Sequence, residues 1–189
     1  MPRRQQAPAR QAVAFADIPF RGSSRARLID AGLQLFRSQA YESVELSAIV
    51  EIAGVTVGAL YHHFQSKLGF YGALRDEMTQ RLLDRMEAAS DASAPELRLE
   101  TTALAAFDGL TRINAGRLLI DADPRGNPDA IAAFLGEIAA QTRITAPDVL
   151  GMILVAAIRA AAQLSGDNPK MQGHARAALV HLLSSSAHT

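Results

Sequence analysis

The chain has 189 residues, 49% of them hydrophobic, with no cysteine and a formal net charge of zero. That is enough apolar side chain for one or two small cores, and it excludes a disulfide framework and a thiolate metal site. The zero hides an asymmetry: residues 1–75 hold nine Lys/Arg against five Asp/Glu, whereas residues 76–189 hold ten against fourteen.

Residues 1–20 combine three Pro and three Arg with no hydrophobic period, which predicts a flexible basic arm. Arg3, Arg4 and Arg10 suit either a contact with DNA or a solvated tail. No apolar run follows these arginines as in a signal peptide, and none approaches the ~18 residues of a membrane span. No membrane is expected as a partner, and the cytoplasm is the expected compartment. Ser23 or Ser24 caps a first helix that runs to about Ser38, with Ile29, Leu33 and Phe36 on one face. Ile49, Ile52 and Ala53 then keep helical spacing, and Gly54 reads as a C-cap. Thr56 reads as the N-cap of a short helix that buries Leu60 and Phe64. Its other face offers Thr56, Val57, Gly58, Ala59, Tyr61 and His62, and two of these have almost no side chain. A helix, a tight Gly turn and a short polar-tipped helix make the pattern of a helix-turn-helix. The basic half of the chain is the half that carries it, the expected sign for contact with phosphates.

The stretch Ala53 to Lys67, AGVTVGALYHHFQSK, resembles the signature of the TetR family of transcriptional regulators, usually a variant of AGVSxGxLYxHFxxK. The likeness extends back through SRARLIDAGLQLF (Ser24 to Phe36) and Tyr41, and covers roughly residues 22–75. It implies that Thr56, Val57 and Ala59 face base edges, with Gly58 leaving room for close approach. It implies that Tyr61 and Lys67 hold phosphates and that His62 and His63 face the DNA backbone. Two positions depart from the pattern. Ala40 stands where the family usually has Gly, and an Ala held in the left-handed conformation costs about 1 kcal/mol. Glu45 stands where the family favours Ser or Thr as an N-cap, so Ser47 is the donor available instead.

Ser66 caps the next helix, which is expected from Lys67 to about Ala89 with Leu68, Tyr71, Leu74, Met78 and Leu82 inward. The spacing of Leu99, Ala103, Phe107 and Leu110 predicts a helix from Glu96, with Pro95 in its first turn. Leu118 to Ile120 reads as a short helix, and Asp121 to Asp129 as a loop. Asn127 and Pro128 read as the start of a helix reaching about Thr142. Thr145 to Asp148 resembles a capping box, opening an almost all-round apolar helix to about Leu164. Asn168 and Pro169 start a last helix lined by Ala175, Leu179 and Leu182. No strand pattern and no repeat is present, so the expected fold is all-α.

No metal or cofactor is expected. His62 and His63 are adjacent, so they point about 100° apart on a helix. Asp121 and Asp123 are explained by turn chemistry, and His174 and His181 are two turns apart. No phosphate loop, nucleophile elbow or HExxH motif is present, which leaves an enzyme little to stand on. The resemblance implies a basic arm at 1–20, a DNA-binding domain at 21–67 and a helical regulatory and dimerisation domain at 68–189. The implied function is a homodimeric repressor of a palindromic DNA operator, released by a small-molecule effector. Phe107 and Phe134, with Arg112, Asn114, Arg117 and Gln141, either line an effector pocket or lie in solvent. Ile153, Ala157, Leu164, Ala175, Leu179 and Leu182 are the expected dimer interface. A ligand-independent DNA-binding dimer, and an enzyme or carrier on the same scaffold, remain open on the residues alone.

Overall fold

Local capping chemistry sets the helix boundaries of the N-terminal domain. The computed structural model describes residues 22–112, 116–141 and 145–185. The expected arm and Asn114 lie outside the described residues. Helix α1 (Ser24–Phe36) starts where the Ser23 hydroxyl accepts from the Ala26 amide at 3.1 Å. Helix α2 (Leu46–Ala53) ends at Gly54, whose φ of 61° supplies the left-handed turn that a side chain would resist. Helix α3 (Val57–Phe64) is capped by the Thr56 hydroxyl, which accepts from the Ala59 amide at 3.2 Å. Helix α4 (Lys67–Asp91) is capped by Ser66, which accepts from the Gly69 amide at 2.8 Å.

The two departures from the family pattern resolve differently. Ala40 is extended (φ −65°, ψ 154°), because the chain leaves α1 through a 3-10 turn at Tyr41–Ser43 instead of a left-handed cap. Of a different turn and a tolerated strain, the first is what the chain adopts. Glu45 makes no capping bond, as its side chain predicts.

The C-terminal domain continues with a 3-10 turn at Pro95–Leu97, then α5 (Arg98–Arg112), α6 (Arg117–Ile120), α7 (Ala130–Ala140), α8 (Pro147–Ser165) and α9 (Pro169–Ser185). Helix α8 packs against α5, α7 and α9, and α4 packs along α5. Two predicted helix starts move. The carboxylate of Asp129, not Asn127, caps α7 by accepting from the Ile131 and Ala132 amides. A charged acceptor suits the positive end of a helix better than an amide. Pro147 occupies the first position of α8, which puts the cap at Ala146 and leaves Thr145 one residue too early for a capping box. Ala146 is left-handed there (φ 59°), with no side-chain cap.

Leu28, Phe36, Ile49, Leu60 and Phe70 fill the N-terminal core, and Leu82, Met86, Phe107, Leu119, Leu135 and Ile158 the C-terminal one. Leu68 is exposed, contrary to the inward reading, and Phe70 takes the buried place beside it; on α2, Ile52 is exposed while Val50 is buried. By length and composition α8 is apolar enough to cross a membrane, which corrects the reading that no such run exists. Its contacts with three neighbouring helices and its Arg159–Asp129 ion pair belong to a packed helical domain. Yet Val149, Met152, Ile153 and Leu164 of α8, and Met171 and Leu182 of α9, are exposed.

Candidate nucleic-acid interface

Helix α3 is held by its buried side. Leu60 and Phe64 are packed into the core, Phe64 lies edge-on to Phe70 with centroids 4.8 Å apart, and the Arg25 guanidinium sits 5.6 Å over the Phe64 ring. With that face fixed, Thr56, Val57, Gly58, Tyr61 and His62 are exposed together, and Ala59 is half-buried beside them. Among the described residues, a Cβ at Gly58 would touch only the Thr56 hydroxyl, 3.7 Å away. The fold therefore has space for a side chain there, and what Gly58 provides is a flat outer surface. Ser47 is exposed on α2.

The two histidines part company. His62 is exposed, whereas His63 Nε2 lies 2.9 Å from Ser24 Oγ and ties α3 to the first turn of α1. Lys67 is fixed from two sides: its ammonium donates to the Glu42 carbonyl at 3.4 Å and sits 4.7 Å over the Tyr41 ring. A Lys so placed offers a preordered positive charge at the start of α4. Sequence reasoning passed over Arg27, exposed with its guanidinium near Gly54, and Ile52, exposed on α2. The pair Arg25 and Arg27 in the first turn of α1 was the available signal.

Among the described residues, those named for an effector pocket are not brought together. Phe107 is in the core and Phe134 is half-buried. Arg112 is exposed at the end of α5, and Gln141 is exposed and accepts from Arg98 at 2.8 Å. Arg117 pairs with Asp121 at 3.0 Å and lines a cavity of about 260 Å³ beside the end of α1. The dimer residues also divide. Ile153, Leu164 and Leu182 are exposed and Ala157 and Ala175 half-buried, but Leu179 is only 5% exposed, inside its own chain.

A polar cluster that sequence reasoning missed joins α4 to the segment after α6. Buried Arg75 donates to the carbonyls of Leu118 and Asp121, acting as a cap for the end of α6. Its Nε lies 3.7 Å from Asp123, and Asp123 also accepts from Arg125 at 2.8–3.2 Å. Hydrogen bonds from Arg125 hold the Asp123 carboxyl below its ordinary value, and burial opposes them only in part. Burial pushes the Tyr71 phenol up, against the nearby Arg75. Because the Asp123 value is lower folded than unfolded, its stabilising contribution is present above the unfolded-state value. It is lost as pH falls through the folded-state value. Denaturant midpoints measured between about pH 5 and about pH 2 should fall less steeply in Asp123→Asn than in the natural chain. Equal slopes would remove Asp123 from the acid response.

Residues 28–74 match the family of bacterial regulatory proteins of the tetR type. The family likeness is carried by this segment, about a quarter of the chain, which runs from α1 into α4. It is 33% identical over 104 residues to the transcriptional regulator TtgR of Pseudomonas putida, covering 54% of this chain and 46% of TtgR. The chain thus aligns with less than half the length of this curated TetR-family relative. In fold it resembles a tetR family regulator from Shewanella sp. PV-4, with a TM-score of 0.71 at 21% identity over 87% of this chain and 97% of that one. It also resembles AibR, solved with isovaleryl coenzyme A and operator DNA, with a TM-score of 0.70 at 14% identity over 85% and 97% of the two chains.

Proposed function

We propose that this chain is a homodimeric repressor that binds a palindromic DNA operator and is released from it by a small-molecule effector. It acts where the DNA is, in the cytoplasm, as a regulator and not as an enzyme. The observation that carries the reading is α3: its apolar face is locked into the core, while Thr56, Val57, Gly58 and Tyr61 form an exposed face of small and polar residues. TtgR is a transcriptional regulator, and AibR binds both an acyl coenzyme A and operator DNA, which supports regulation by DNA and ligand together. In a dimer, two copies of α3 about 34–36 Å apart would read one face of the duplex. An effector that favours another spacing weakens DNA binding by its differential affinity for the two states, typically about 1–3 kcal/mol. The division falls between residues 21–67, which bind DNA, and 68–189, which dimerise and respond to the effector.

Selection of bound duplexes from random DNA tests this directly: a palindrome should emerge, and no preference at moderate salt would sink the proposal. Val57 offers only apolar contact, such as to a thymine methyl, so α3 specifies sequence with few direct hydrogen bonds. Lys67→Ala should weaken binding to every sequence alike and make the salt dependence shallower by about one unit of slope. A change in base preference instead would show that Lys67 does not serve a phosphate.

A further inference from the structure

We infer that the cleft between α4, the 121–129 loop and the start of α7 binds a small organic carboxylate, which displaces the Asp76 carboxylate from Arg125. This deepens the regulator reading and rests on it, since it names the class of effector. The cleft has a volume of about 460 Å³ and is lined by three arginines, Arg75, Arg125 and Arg159.

The three carboxylates that face these arginines are not equally committed. Asp123 lies between Arg75 and Arg125, and the side chains of Arg75 and Asp123 are each 9% exposed. Displacing it would leave two poorly hydrated guanidiniums without a counter-charge. Asp129 is divided between the α7 amides and the Arg159 guanidinium. Asp76 is different. It takes two parallel bonds from Arg125, at 2.9 and 2.6 Å, yet its side chain is 65% exposed. Returning it to water costs less than displacing Asp123, because Asp76 is already largely hydrated and an exposed ion pair is typically worth about a factor of five or less in an equilibrium.

Buried Arg75 and half-buried Arg125 therefore share the Asp123 carboxylate, and the balancing charge comes from a replaceable residue at the rim. The Arg125 fork already fits a planar carboxylate, so an incoming acid reproduces the geometry that Asp76 vacates. Arg159, paired with Asp129, offers a further cation on the same cleft; among the described residues its buried Nε has no hydrogen-bond partner. Pro128, Ala130 and Ile131 supply an apolar wall for a short aliphatic body. The exchange reaches the DNA-binding end through α4. Gly72 lets the Arg125 guanidinium lie across that helix, where a Cβ would come within 2.7 Å of it. Once Arg125 is turned to a ligand, the Asp76 tie between the loop and α4 is released.

Calorimetry on the full chain without DNA tests the site, with hexanoate, inorganic phosphate and chloride as probes at matched ionic strength. Hexanoate should bind more tightly than the other two. Asp76→Asn, which removes the competitor from the surface, should tighten hexanoate up to about fivefold. Arg125→Gln should abolish its binding. Hexanoate binding no better than chloride in both the natural chain and Asp76→Asn would overturn the inference, and so would binding of phosphate alone. Should Arg125→Gln fail to fold, the direction of the Asp76→Asn change still decides. Selection of a DNA palindrome without any hexanoate binding would leave the regulator standing and refute only the site; absence of DNA preference would refute the regulator.

Discussion

Ile153→Asp should leave the chain monomeric at micromolar concentration in sedimentation, and should weaken operator binding by about 10²–10⁴-fold. The loss follows because each half-site is then bound alone, without the effective concentration that linkage supplies. Ile153 is 58% exposed in a single chain, in company with the exposed Val149, Met152 and Leu164 of α8. A large apolar helix face left in water signals a surface that associates, and two copies of it would bury one another. An Asp there would be desolvated at the interface with no partner, twice per dimer. The helical signal in circular dichroism should be unchanged, since the single chain makes little use of that side chain. Leu179→Asp provides the contrast. Because Leu179 is buried at 5% exposure in its own chain, its substitution should unfold the domain, not merely separate two subunits. A dimeric Ile153→Asp would place the interface elsewhere.

The difference between Ile153 and Leu179 shows where sequence reading stops. Both lie on apolar helix faces, and periodicity cannot say which of two faces meets its own chain and which meets another. What could be read was local. Gly54, Thr56 and Ser66 act on amides or turns within three residues of themselves, so the boundaries of α2, α3 and α4 follow from short-range chemistry. Ala40 and Asp129 were harder, because neighbouring residues offer competing turns and caps and the fold selects one. The Arg75–Asp123–Arg125 cluster was not legible at all. Its members come from α4 and from a loop nearly fifty residues on, and only the packing of α4 beside α6 and α7 brings them together. Arg112 and Gln141 lie near apolar runs in the sequence, but each sits at the end of a helix and is exposed.

Phe70→Ala should cost about 3–5 kcal/mol of stability, measured as a lower denaturant midpoint. Phe70 is fully buried in the first turn of α4, 4.8 Å from Phe64 of α3 and 6.3 Å from Phe36 of α1, centroid to centroid. Phe36 also meets Tyr71 edge-on at 4.9 Å, and Tyr71 meets Tyr41 at 5.0 Å. These rings hold α1 and α3 against α4. They are the apolar means by which the position of α4 becomes the position of α3. Truncating Phe70 removes the shared centre of that stack and leaves a cavity that rigid neighbouring helices fill only partly. DNA binding should therefore suffer beyond the fraction unfolded, because α3 loses its fixed relation to α4. Phe70→Leu keeps most of the volume and should recover much of the stability. Full operator affinity in a folded Phe70→Ala chain would show that α3 is positioned without this aromatic contact.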